Sequence, residues 1–286
     1  FKNKKVLVAG STGLMGSNLI IRLLESGAHV RATLHKHPPI MDDPRIEYTR
    51  ADLTGKEDCR RVVEGVELVF LCAAYTTGAA DVVANPLAHV TTNILINTQM
   101  IDAAYRAGVK KFLWVSSSTA YPPSGDRPIR EEEMFDGDPY DRSYFAGWMK
   151  RFMEILCRMY GEKIVKPMTT IVLRPTNVYG PRDKVDIATS HVIPALIRKV
   201  VERQDPVEVW GTGEEVRDMI YVDDMIEAMM LAMEKVESYE VFNIGYGKGM
   251  KIKDIEQMIL ELDGYENAHV QFDPAKPTTF PIRLLD

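Results

Sequence analysis

The chain has 286 residues, 45% of them hydrophobic, and a formal net charge of −6. That is enough apolar chain for one large α/β domain or a large domain carrying a smaller one, and the acidic balance argues against nucleic-acid binding or attachment to an anionic membrane. Its three cysteines, Cys59, Cys72 and Cys157, are scattered and outside any C-x-x-C pair, so neither a disulfide framework nor a metal site is expected and a reducing cytoplasm fits, while no apolar run approaches the ~20 residues of a bilayer span.

From the amino end, short β-branched runs at 5–10, 29–34, 46–50, 68–74, 111–117 and 169–175 alternate with amphipathic stretches such as "LMGSNLIIRLLESG", "NILINTQMIDAAYRAG" and "GWMKRFMEILCRMYG". Alternation at these lengths predicts βαβ units and a parallel sheet buried on both faces, hence a doubly wound α/β fold. From Val178 onward prolines and charges increase and the helices and strands shorten. The expected organisation is a dinucleotide-binding Rossmann domain over 1–177 and a smaller C-terminal α/β substrate lobe over 178–286, partly interleaved with it. The small-residue segment "TTGAADVVANP" at 76–86 is expected to be a loop that covers a site.

The first strand runs into "GSTGLMG", residues 10–16. Gly10, Gly13 and Gly16 form G-x-x-G-x-x-G between a strand and a helix. Such glycines allow a tight turn and let backbone N–H groups approach a pyrophosphate at the positive end of the helix. Ser11, Thr12, Leu14 and Met15 belong to the same cradle. At the end of the second strand an acid would bond a ribose 2′-OH and a cation would accommodate a 2′-phosphate. Here Leu34 stands where the acid would be, and His35 and Lys36 follow, which tilts the expectation to NADP, with NAD the alternative. "ADL" at 51–53 places Asp52, with Leu53 beside it, near the adenine amino group.

Taken together, "GSTGLMG", "ADL", "FLCAA", "VSSSTAYP", "LRPTNVYGP", "VWGTGEEVRDMIYVDDM" and "VFNIG" resemble, in order and approximate spacing over essentially the whole chain, the extended short-chain dehydrogenase/reductase family of nucleotide-sugar epimerases, dehydratases and reductases. "RPTNVYGPRDKVDIATSHVIPALIRK" is most similar to the GDP-fucose synthase type, NADP-dependent enzymes acting on a GDP-4-keto-6-deoxy sugar. The resemblance implies Ser117 as the hydroxyl that bonds the sugar carbonyl, Lys150 as the ammonium of the catalytic helix, and His191 as a general acid toward the sugar carbon. It implies Ala73, Ala74, Asn93, Pro175 and Thr176 around the cofactor, although Asn93 equally suits a helix cap. It places Asn177, Arg217, Trp210 and Arg283 against a nucleotide-diphosphate sugar, with Arg198 and Lys199 either adding to that anion site or forming a solvated helix face. It further implies a homodimer through helices near 93–107 and 146–160.

Two positions depart from the family pattern. The family's second acid/base, a Cys two residues beyond the serine, is Thr119 here, a poor base for removing a proton from carbon. The family also places Tyr four residues before Lys, because i and i+4 share a helix face, and that position is Ala146 in "SYFAGWMK". Tyr144 could substitute only if the chain before the helix were irregular, since on a continuous helix two residues rotate it by about 200°. Three functions therefore stay open: a nucleotide-sugar oxidoreductase/epimerase on a GDP-like 4-keto sugar, an NAD-dependent 4-epimerase or 4,6-dehydratase, and a catalytically silent protein that binds nucleotide sugar and cofactor.

Overall fold

The computed structural model describes residues 1–76, 87–186, 190–276, 278 and 280–286; the expected covering loop at 76–86 therefore lies, apart from Thr76, outside the described residues. Six strands fall where the β-branched runs predict them: β1 (Lys5–Ala9), β2 (His29–Leu34), β3 (Ile46–Arg50), β4 (Leu68–Leu71), β5 (Lys111–Val115) and β6 (Thr169–Pro175). They are joined by β10 (Glu240–Ile244) in one seven-stranded sheet of order β10-β6-β5-β4-β1-β2-β3, every neighbouring pair of it parallel. The order reverses between β1 and β4, the crevice where doubly wound sheets bind ligands.

Helices cover both faces. On one, α1 (Leu14–Glu25) and α6 (Val222–Lys235) bury Leu19, Ile20, Leu23, Met225, Ile226 and Met229 against Val6, Val8, Val30 and Phe70. On the other, α2 (Lys56–Val63), α3 (Ala88–Arg106) and α4 (Tyr144–Arg158) bury Val62, Met100, Ile101, Met153 and Cys157 against Leu7, Val69, Phe112 and Trp114. Strands that are apolar on both sides thus find a core on both sides, as a parallel sheet requires.

The remaining elements build a second layer beyond the carboxyl ends of these strands. β9 (Val216–Tyr221) is flanked by β11 (Gly249–Lys251) and β13 (Ile282–Arg283), and β7 (Asn177–Tyr179) also pairs with it. β8 (Val207–Trp210) pairs with β12 (Val270–Asp273). α5 (Val192–Val201) and α7 (Ile252–Asp263) close this lobe around Ile193, Leu196, Val209 and Ile255. The lobe is not contiguous in sequence, because α6 and β10 leave it to complete the main body.

Candidate active site

The glycine loop is shaped by close approach. Gly10 has φ +87°, and a Cβ on it would stand 2.5 Å from the Ala73 backbone nitrogen; a Cβ on Gly16 would stand 2.1 Å from the Gly10 carbonyl oxygen. The loop is therefore pressed onto the end of β4, and α1 onto the loop. Gly13, exposed, precedes α1 with no side-chain cap, and the first turn carries no acid. The early N–H groups of the helix have no intrahelical acceptor, and with the dipole they present a cradle for a diphosphate. Leu14 and Met15 contribute through that backbone, since their side chains pack on the core, while Thr12 is half-buried at the loop. The Ser11 hydroxyl is fully buried and donates to the Thr33 carbonyl at 2.7 Å, fastening the loop to β2, so Ser11 too could contribute only through its backbone.

At the adenosine end, Leu34 is buried while His35 and Lys36 are exposed just beyond β2. Asp52 Oδ1 accepts from the Thr54 hydroxyl and N–H, bonds that hold this carboxyl below its usual range, with the His35 imidazole adding a smaller pull. Leu53 is buried. Ala73 is half-buried and Ala74 exposed. Asn93 lies inside α3, not at its start, so it is no helix cap. Its amide accepts from Tyr75 N–H at 2.8 Å and donates to the Tyr75 carbonyl at 2.9 Å, pinning the chain that leaves β4 beside the glycine loop.

Next along the crevice is the end of β5. Ser117 is half-buried, and its oxygen accepts from the Thr119 N–H at 3.1 Å, which aims its own proton elsewhere. Lys150 on α4 donates to the carbonyls of Val115 at 2.9 Å and Ser116 at 3.4 Å, with its ammonium 4.6 Å from the Trp114 ring centre. Burial lowers its pKa from 10.5 to about 8. One turn earlier Ala146, half-buried, carries nothing to ionise. The reading of Tyr144 as a stand-in fails, because α4 is continuous from Tyr144. Its ring is exposed and lies against Phe145 and Trp148, in an apolar groove with Val90 and Ile94 of α3, away from Lys150. Pro175 and Thr176 are buried at the end of β6, Thr176 N–H bonding the Ile244 carbonyl at 2.9 Å.

The substrate lobe places two arginines side by side. Arg217 on β9 and Arg283 on β13 are register partners, 7% and 2% exposed. Arg283 Nη1 donates to the Pro122 carbonyl at 3.2 Å, close after Ser117 in the chain, and its guanidinium stacks 4.2 Å from the Phe280 ring centre. Its Nε is buried without a hydrogen-bond partner. Burial and the Arg217 charge push Arg283 down to about 10; Arg217 is lowered by burial too. The Glu215 carboxylate pulls Arg217 the other way. Asn177 is half-buried and donates to the Asp218 carbonyl at 3.0 Å, joining β7 to β9. Trp210 is half-buried, bonds Glu208 and has Lys276 over its ring. His191 is exposed at the start of α5, and Thr119 is half-buried beside Ser117.

Arg198 and Lys199 do not join this pair. Arg198 reaches Glu202 at 2.7 Å and the Val185 carbonyl on the exposed face of α5. Lys199 points into the lobe, where its buried amine donates to the Glu208 carbonyl at 2.5 Å. Sequence reasoning also missed the cluster beneath Ser117: Arg174 meets Glu154 at 2.6 Å, and Ser116, Tyr121 and the Glu131 carbonyl complete it. The one signal available for it was Arg174 at the end of an otherwise uncharged buried strand.

A profile of the NAD dependent epimerase/dehydratase family matches residues 6–245. The chain belongs to this family. A GDP-L-fucose synthase of Sinorhizobium fredii is 30% identical over 99% of this chain and 87% of its own length. Among solved structures, a UDP-glucose 4-epimerase with UDP-glucose from Thermotoga maritima superposes with a TM-score of 0.87 at 27% identity, covering 99% of this chain and 89% of that one. A GDP-D-glycero-L-gluco-heptose synthase of Campylobacter jejuni, crystallised in the presence of NADPH, gives 0.82 at 25% identity over 99% and 91%. The glycine cradle described above has the backbone geometry that suits a dinucleotide's pyrophosphate.

Proposed function

We propose that the protein is a nicotinamide-dependent oxidoreductase/epimerase of a nucleoside-diphosphate sugar, with NADP as cofactor and a GDP-like 4-keto sugar as substrate class. The observation that carries this reading is the buried Arg217–Arg283 pair, reached across Pro122 from the segment that begins at Ser117. A guanidinium is the donor suited to phosphate oxygens, and an anchored diphosphate would lay the attached sugar toward the end of β5. The dinucleotide supplies hydride donor and acceptor capacity. Ser117 donates its proton to the sugar carbonyl oxygen as charge develops there. Lys150, on the carbonyls of the two preceding residues and titrating near 8, is the acid from which Ser117 is reprotonated. Asn177 and Trp210 line the substrate side, and His191 stands at the lobe's edge as the acid toward carbon.

Ala146 favours a second reading, a nucleotide-sugar and cofactor binder without turnover. Both are separated by following the nicotinamide absorbance with NADPH and a panel of nucleotide 4-keto sugars. Slow turnover that disappears in Ser117→Ala and rises at least tenfold in Ala146→Tyr is expected. Absence of turnover in the parent, with turnover in Ala146→Tyr, would establish the silent reading.

The exposed Phe145, Trp148, Phe152 and Ile155 of α4, Met159 just after it and Leu95 of α3 form an apolar face that we assign to a second copy of this chain, packed helix pair on helix pair. Sedimentation equilibrium checks it: a monomer at micromolar concentration would rule it out.

A further inference from the structure

We infer that Arg50 completes a 2′-phosphate site with His35 and Lys36, and so sets a preference for the phosphorylated dinucleotide. The inference rests on the reading of the glycine loop as a dinucleotide site and adds to it a residue in a different part of the chain. Arg50 ends β3 and is the register partner of Leu34, which ends β2. Leu34 occupies the place from which an acid would reach a ribose 2′-OH, and it is buried and apolar. Directly beside it Arg50, exposed, donates through Nη1 to the His35 carbonyl at 2.5 Å. The guanidinium is thereby held at the rim where His35 and Lys36 emerge.

The other arginines along this edge are each held by an acid. Arg31 pairs with Glu47, Arg45 with Asp43, Arg60 with Glu57 and Arg61 with Asp58. Among the described residues no carboxylate lies within ion-pair distance of Arg50, His35 or Lys36. The acids nearest in sequence are committed elsewhere: Asp52 accepts from Thr54, and Asp58 accepts from the Asp52 N–H and from Arg61. Three cationic or protonatable side chains on one strand-end rim, none of them in an ion pair and only His35 acting on a nearby carboxyl, that of Asp52, are suited to a phosphate monoester in a protein of net charge −6. A phosphate dianion there would take the remaining guanidinium N–H groups in charge-assisted hydrogen bonds. The sequence reading stopped at His35 and Lys36 because Arg50 comes 15 positions later, and parallel pairing alone brings it alongside.

The test is equilibrium binding of NADPH, NADH, 2′,5′-ADP and 5′-ADP to the intact protein and to Arg50→Gln, Arg50→Lys and His35→Ala/Lys36→Ala. Gln keeps an N–H for the His35 carbonyl and removes the charge, so it separates phosphate binding from support of the loop. Expected are tighter binding of NADPH than NADH by the parent, about tenfold or more, and loss of most of that ratio in Arg50→Gln through weaker NADPH binding, with partial recovery in Arg50→Lys. The same pattern should hold for 2′,5′-ADP against 5′-ADP. A preference for NADPH that survives unchanged in Arg50→Gln overturns the role of Arg50 and leaves the NADP reading standing on His35 and Lys36. Equal or tighter binding of NADH by the parent itself overturns the NADP reading, and the role of Arg50 with it.

Discussion

Arg174 and Arg283 are both almost fully buried, yet their surroundings differ in kind. Arg174, at the end of β6, has Glu154 along one side and Tyr121 and a backbone carbonyl on the other. Burial alone would lower its pKa, but the charge and hydrogen bonds of Glu154 outweigh that and raise it. Arg283 has one carbonyl, an aromatic face, an arginine neighbour and a buried Nε that bonds nothing, and its pKa falls. Arg174 is satisfied inside the protein by a counter-ion, whereas Arg283 is buried beside a like charge and keeps hydrogen-bonding capacity to spare.

The contrast is most sharply tested by Glu154→Ala. Arg174 would be left buried without its counter-ion, and unfolding free energy from urea titration should fall by about 3–5 kcal/mol. Arg283→Met should act in the opposite sense. It should weaken binding of a nucleoside diphosphate, measured calorimetrically with GDP and UDP, by about tenfold or more, while the thermal midpoint holds or rises. A midpoint several degrees lower would make Arg283 structural and end the comparison.

Glu256 gives a smaller test of the same rule with the sign of the charge reversed. Both its carboxylate oxygens are buried without hydrogen-bond partners. Burial raises its pKa from 4.5 to about 7, with Lys199 pulling the other way. The native state therefore holds this proton more tightly than the unfolded chain. Its contribution to stability is complete below pH 4.5, declines as pH climbs, and is gone above about 7. Glu256→Gln should flatten that decline and add about 1–3 kcal/mol above pH 7, read from thermal melts across the pH range. A decline that persists in the variant would assign it to another group.

How far these features could be read in advance depended on how local they are. β1 to β6 were legible because a strand buried on both faces must be apolar along its whole length, and the glycine loop because tight backbone contact excludes any Cβ at Gly10 and Gly16. The phase of α4 was legible as well: the 200° offset that counted against Tyr144 is what the helix shows. Arg198 and Lys199 were harder, since adjacent residues on a helix point about 100° apart, and only the packing of α5 decides that one meets solvent and the other Glu208. The pairing of β13 with β9 joins residues 66 positions apart, and the Arg174–Glu154 contact links a strand to a helix. Neither leaves a periodic trace, so neither Arg283's neighbour nor Glu154's role was visible before the fold.

The return of α6 and β10 to the main sheet also bears on how the molecule is made. Until synthesis passes Lys235 one face of the sheet lacks Met225, Ile226 and Met229, and until it passes Ile244 β6 has an open edge. A nascent chain emerging at roughly 5–20 residues per second thus spends several seconds with six strands of the sheet present and the seventh missing. β7 to β9, with Arg217, are made within this interval, but β11, α7, β12 and β13, with Arg283, follow it, so the sheet closes first and the two arginines are brought together only at the end of synthesis.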